Sequence, residues 1–288
     1  MNVGFIGTGS MGSVLIEAFI RSGALLPSQI IAYNRTPSKV NALAKRHHGL
    51  ICADSNEEVA KASQLVLLCV KPHEYDTALS QFAHVLTPEH LLLTITSPVK
   101  LQHLEKLVSC PVVRVIPSIT NAALSGTTLL QFGQHVSGTT KNYLLSLFRQ
   151  ISNPLEIDEA YLRIAADLSS CGPAFVSYLL QQMVQAAVEE TGISEEAATY
   201  MTSQMIIGFG ELLKHNLFSL QSLEQRVVVP GGITGEGLIP LKQNIPGVFQ
   251  QVFKRTHQKF AHDCQEVDSL LSADAPVKAD SITGSEQK

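Results

Sequence analysis

The chain has 288 residues, 45% of them hydrophobic and 16% charged, with a formal net charge of −4. That length suits two domains with a sizeable core, and the slight acidic excess gives no global electrostatic reason to expect a nucleic-acid partner. The five cysteines are scattered without a C-x-x-C pair, which is cytosolic usage and not a disulfide framework. No apolar run reaches membrane-spanning length, and an expected strand fills the place of a signal peptide, so a cytoplasmic protein with no membrane partner is expected.

Val3 to Ile6 is a short apolar run of strand character, followed by Gly7-Thr8-Gly9-Ser10-Met11-Gly12 at G-x-G-x-x-G spacing. A helical pattern begins at once, with Val14, Leu15, Ala18 and Phe19 on one face. Strand, glycine turn and helix are the context that a dinucleotide fingerprint requires. Gly7 allows the tight turn, Gly9 lets the backbone approach a diphosphate, and Gly12 lets helix and strand pack closely. Free N–H groups and the helix dipole then face the anion.

The second strand, Ile30 to Tyr33, ends in Asn34-Arg35-Thr36. A dinucleotide fold usually carries an acid there for the ribose 2′-OH. An arginine stands there instead and can take a 2′-phosphate bidentately, so Asn34, Arg35 and Thr36 point to NADP over NAD. Further strands are expected at 50–53, 65–70, 91–96, 112–116, 127–132 and 155–157, with helices at 37–47, 55–62, 79–86, 101–108 and 139–150. The strand 65–70 ends in Val70-Lys71-Pro72 at the ligand edge of the sheet. The alternation predicts an α/β Rossmann domain with a doubly wound parallel sheet over residues 1–157.

From Asp158 the spacing is helical only, predicting an all-helical domain over 158–271 and a disordered tail over 272–288. Helices over 174–191 and from Ser194 to Leu213 are apolar on most faces and need burial that the domain alone does not offer; a homodimer is inferred. Pro230-Gly231-Gly232-Ile233-Thr234 forms a sharp turn before a helix expected from Glu236, a second place where backbone N–H groups can hold a carboxylate. His257, His262 and Cys264 lack useful ligand spacing, and no metal is expected.

Taken together the chain resembles pyrroline-5-carboxylate reductase from residue 1 to about 268. The likeness rests on Gly7-x-Gly9-x-Met11-Gly12, Asn34-Arg35, Val70-Lys71-Pro72, Cys171-Gly172-Pro173-Ala174 and Pro230-Gly231-Gly232-Ile233-Thr234. It implies a Rossmann domain, a helical dimerisation domain, dimers that assemble further into rings, NADPH as cofactor, and reduction of 1-pyrroline-5-carboxylate to proline. Gly231, Gly232, Ile233 and Thr234 would bind substrate, and the resemblance makes Thr234 the partner of the ring nitrogen.

Departures from the family accompany the likeness. Where the family has Met-Pro-Asn-Thr-Pro, this chain has Ile116-Pro117-Ser118-Ile119-Thr120; for Ser-Gly-Ser-Gly-Pro-Ala it has Ser169-Ser170-Cys171-Gly172-Pro173-Ala174. For Ser-Pro-Gly-Gly-Thr-Thr it has Val229-Pro230-Gly231-Gly232-Ile233-Thr234. Polar groups have become apolar at Ile119, Val229 and Ile233, and the pattern is similar to that of the divergent reductase-like paralogue encoded beside late competence proteins in some Gram-positive bacteria. A non-catalytic or regulatory protein that keeps NADP binding and dimerisation is therefore the alternative. A β-hydroxyacid dehydrogenase is disfavoured, because no lysine lies between Cys171 and Glu190.

Overall fold

The computed structural model describes residues 1–273. Contacts divide them into two compact units, Met1–Ala166 with Gln258 onward, and Asp167–His257. In the first unit the chain runs β1 (Val3–Ile6), α1 (Ser10–Arg21), β2 (Ile30–Tyr33), α2 (Pro37–Arg46), β3 (Ile51–Cys52), α3 (Asn56–Lys61), β4 (Leu65–Leu68) and α4 (Tyr75–Ser80). It continues through β5 (Leu91–Thr94), α5 (Leu101–Leu107), β6 (Val112–Ile116), β7 (Thr127–Phe132), α6 (Gly138–Arg149), β8 (Asn153–Glu156) and α7 (Leu162–Ala166).

Among the described residues, eight strands form one sheet in the order β3-β2-β1-β4-β5-β6-β7-β8. β1, β4 and β5 are buried along their whole length, as continuous apolar strands covered on both faces must be. Two core layers flank the sheet. Phe19, Leu43 and Phe148 anchor one, and Tyr75, Phe82 and Leu104 the other. The chain order reverses between β1 and β4, which leaves a crevice at their carboxyl ends.

All pairings are parallel except β6 with β7. The parallel sheet expected from the sequence thus contains one antiparallel step. Residues 117–126 hold only a short 3₁₀ segment, Ile119–Ala123, too little for the helical crossover that a parallel return needs. The helix expected over 79–86 is also broken: α4 ends at Ser80, and a 3₁₀ turn, Ala83–Val85, follows.

The second unit holds a π-helical turn, Asp167–Cys171, then α8 (Gly172–Thr191), α9 (Glu195–Lys214), α10 (Leu220–Val227) and α11 (Ile233–Asn244). α12 (Val248–Ala273) begins in this unit and ends in the first. Gly192 closes α8 in the left-handed region at φ 72°, and the Ser194 hydroxyl accepts the Ala197 N–H to open α9. No residue of α8 is buried, and of α9 only Ala198. Leu179, Met183, Met201, Met205 and Ile207 are exposed on the pair.

The unit boundaries differ from the expected 157 and 271. Leu162 and Ala166 of α7 pack with Ile116 and Leu129 of the sheet. Val267 of α12 is buried in the core layer of Leu101 and Leu104, and Asp268 accepts from Lys100 Nζ at 2.6 Å. Of the tail expected over 272–288, residues 272 and 273 close α12; the rest lies outside the described residues.

Candidate functional site

A cleft of about 580 Å³ opens at the carboxyl ends of β1, β2 and β4. It is lined by Gly7 and Gly9 from the first turn, by Asn34, Arg35 and Thr36 after β2, and by Val70 and Lys71 after β4. All seven are residues that the sequence predicts at the site. Thr8, Ser10, Met11, Gly12 and Pro72 belong to the same turns without lining the cleft itself.

The first turn is built by backbone constraints. Gly7 sits at φ 97°, and its N–H donates to the Tyr33 carbonyl at 2.9 Å. A side chain there would strike the Cys69 carbonyl oxygen, so only glycine fits between β1 and β4. Thr8 is buried, and its N–H donates to Asn34 Oδ1 at 3.2 Å, which ties the glycine turn to the tip of β2. Gly9 is the N-cap of α1 and offers no side-chain oxygen, so the N–H groups of Ser10 and Met11 head the helix uncapped. Gly12 is buried where α1 crosses the Gly7 turn. A Cβ on Gly9 would project into open space. That open space over an uncapped helix start is what a diphosphate fills, and the residues present fit a dinucleotide.

Lys39, Asn56, His73, Glu74 and Gln81 also line the cleft and were not singled out from sequence. Lys39 lies on α2 just past Arg35-Thr36, a spacing that could have flagged it. Asn56 donates to Gln81 Oε1 at 2.7 Å, closing the wall between α3 and α4. Glu74 Oε1 lies 2.8 Å from Arg35 Nη2. Cys69 also lines the cleft, and burial of its sulfur pushes the thiol up to about 12, so it is a neutral wall and not a nucleophile.

Two strands away from the cleft, Arg114 of β6 is buried to 1% exposure. Its Nη1 donates to Gln131 Oε1 at 2.6 Å and lies 3.0 Å from Glu159 Oε2; its Nη2 donates to the Val99 carbonyl. Burial lowers its pKa and Glu159 opposes that shift. The loop after β6 is braced from within: Ser118 N–H donates to Asn121 Oδ1 at 2.8 Å, and both residues are buried, while Ile119 is exposed.

The turn Pro230–Thr234 belongs to the second unit. Gly231 has φ 71°, and α11 begins at Ile233, earlier than the Glu236 expected. Gly232 is the N-cap, so Thr234 lies inside the first helical turn with an exposed side chain. Val229 and Ile233 are exposed as well, Ile233 to 92%. Among the described residues, His262, Asp263 and Glu266 could bring ligand atoms together; His262 and Glu266 are exposed and Asp263 half-buried on α12. No described helix is long and apolar enough to cross a membrane.

Sheet order, glycine turn and cleft define a Rossmann-type dinucleotide-binding fold. The family model described as pyrroline-5-carboxylate reductase dimerisation matches residues 159–263, and one described as NADP oxidoreductase, coenzyme F420-dependent, matches residues 2–98. ComE operon protein 4 of Bacillus subtilis is 41% identical over 267 residues, covering 93% of this chain and 98% of that protein. Pyrroline-5-carboxylate reductase 3 of Macaca fascicularis is 30% identical, covering 84% of this chain and 88% of the other. The crystal structure of Plasmodium falciparum pyrroline carboxylate reductase with NADP bound superposes with a TM-score of 0.77 at 26% identity, covering 94% of this chain and 98% of that one. The chain belongs to the pyrroline-5-carboxylate reductase family. The matched dimerisation domain and the bare apolar faces of α8 and α9 together support homo-oligomerisation.

Proposed function

We propose that this protein reduces a cyclic imine, 1-pyrroline-5-carboxylate or a close relative, to the ring amine, which for that substrate is L-proline, using NADPH in preference to NADH. The observation that carries the reading is Arg35 at the tip of β2, lining a cleft over an uncapped helix start in a member of this family. The cofactor supplies the hydride; a protonated C=N is already electrophilic and asks little further chemistry of the protein.

The chain's own residues bind and orient. N–H groups of Ser10, Met11 and Gly12 hold the diphosphate, with Gly7, Thr8 and Gly9 shaping the turn. Asn34, Arg35 and Thr36 hold the adenosine end, and Val70, Lys71 and Pro72 flank the cofactor along the edge of β4. In the homodimer the N–H groups of Gly231, Gly232, Ile233 and Thr234 hold the substrate carboxylate. The Thr234 hydroxyl, not consumed as a helix cap, meets the ring nitrogen and orients it or relays its proton. Holding the imine against the cofactor with water excluded supplies the rate through proximity. The protein works in the cytoplasm, as dimers that build into larger rings.

The test is purified protein with NADPH and 1-pyrroline-5-carboxylate, followed at 340 nm. Absorbance falling faster than a protein-free blank supports the reading, and a rate equal to the blank removes it. A second reading is favoured by the exposed apolar side chains Ile119, Val229 and Ile233, where the family likeness expects polar ones. It is a non-catalytic paralogue that keeps cofactor binding and dimerisation, and the 41% identity to ComE operon protein 4 is in keeping with it. It gives saturable NADPH binding without turnover, and Val229→Ser with Ile233→Thr then restores turnover.

A further inference from the structure

The dinucleotide cleft is lined by three cations, Arg35, Lys39 and Lys71, and, among the described residues, by a single carboxylate, Glu74. That carboxylate sits on Arg35, at 2.8 Å. The two residues come from opposite sides of β1: Arg35 follows β2, and Glu74 ends the 3₁₀ turn Pro72–Glu74 that follows β4. Their side chains are 84% and 29% exposed, so the carboxylate is the held partner and the guanidinium the loose one. The Glu74 N–H donates to the Lys71 carbonyl at 3.0 Å, and the adjoining Tyr75 is fully buried, which fixes the backbone under the carboxylate.

A fold that selects NAD places an acid at the tip of its second strand, where it accepts from the ribose 2′-OH and repels a 2′-phosphate. This chain has no acid at the tip of β2, yet Glu74 brings one to the same place from the tip of β4. A 2′-phosphate arriving at Arg35 must displace Glu74 from the guanidinium and then lie beside a like charge. A bare 2′-OH finds an acceptor and loses nothing.

We propose that Glu74 is a specificity-determining residue of this cleft: paired with Arg35, it cuts the advantage that Arg35 gives a phosphorylated ribose and lets NAD(H) compete for the same site. This rests on the assignment of Arg35 to the 2′-phosphate made above. An exposed ion pair is weak, so the phosphate can break it and the effect is graded. Its size is about fivefold in relative affinity, the upper end for such a pair.

Isothermal titration of the full chain with NADP⁺ and with NAD⁺ tests this, in the native protein, E74Q, R35Q and the double variant, with thermal melts confirming that each is folded and E74A as a second neutral substitution. E74Q and E74A are expected to tighten NADP⁺ about fivefold without tightening NAD⁺, with a smaller gain in the R35Q background. If R35Q weakens NADP⁺ selectively but both Glu74 substitutions leave the NADP⁺/NAD⁺ ratio unchanged, the role of Glu74 is overturned and that of Arg35 stands. If R35Q leaves the ratio unchanged, the phosphate assignment falls and this inference with it.

Discussion

Gly12 packs so closely under Gly7 that a Cβ on it would lie 2.2 Å from the Gly7 carbonyl oxygen. The obstacle is backbone and cannot swing aside. Gly12→Ala is therefore expected to cost about 2 kcal/mol of stability by overpacking, read as a lowered urea midpoint, and to disturb the turn that holds the cofactor. Gly9→Ala separates the two effects: it meets no atom in the protein, so stability holds while NADPH affinity falls at least about tenfold, the scale of a side chain intruding on a filled site.

Arg114 and Glu159 form an unequal pair, one side chain at 1% exposure and the other at 51%. Glu159→Ala strands a buried guanidinium, with Gln131 and Val99 as its remaining acceptors. Arg114→Met leaves a carboxylate that can turn to water. The variant at the more exposed position should therefore be the more damaging, by about 3 kcal/mol against about 1–2 kcal/mol, measured by urea denaturation.

Val267 lies near the end of a helix with a largely polar sequence, yet it is buried to 2% in a core layer of the sheet unit. Val267→Asp places a carboxylate among Leu101 and Leu104 and is expected to cost about 2–4 kcal/mol. Hydrogen exchange should report faster labelling at residues 258–269 and in α5.

Met183 on α8 and Met205 on α9 are both exposed on an apolar face. Met183→Glu with Met205→Glu should dissociate the oligomer, seen as a fall in mass by light scattering, because two charges per chain would be desolvated in the interface. The fold of the sheet unit should be unaffected.

Local rules made much of this legible in the sequence. The glycine spacing between an apolar run and a helical pattern located β1, the turn and α1, and the absence of an acid after Tyr33 drew attention to Arg35. What stayed hidden depends on contacts between distant segments. Glu74 sits in a turn whose local chemistry gives no sign of Arg35. Val267 shares a helical stripe with Phe260 and Cys264, but the sequence gives no sign that Leu101 and Leu104 are what it packs on. The antiparallel β7 was missed because strand periodicity is the same in both directions, and only the short connection 117–126 decides it. At the second glycine turn the Pro-Gly-Gly signal was plain, but the helix starts at Ile233 and not at Glu236, which puts Thr234 inside the first turn and not before the helix.

The cleft at the ends of β1, β2 and β4 is the proposed seat of the reduced cofactor, and nicotinamide fluorescence tests that directly. The chain has no tryptophan, so NADPH emission can be read without protein energy transfer from that residue. Titrating native protein into NADPH should give a saturable rise and blue shift of the nicotinamide emission, and with the equally stable Gly9→Ala the midpoint should lie at a protein concentration at least about tenfold higher. An emission spectrum that does not change with protein, or one that saturates equally with Gly9→Ala, would contradict it.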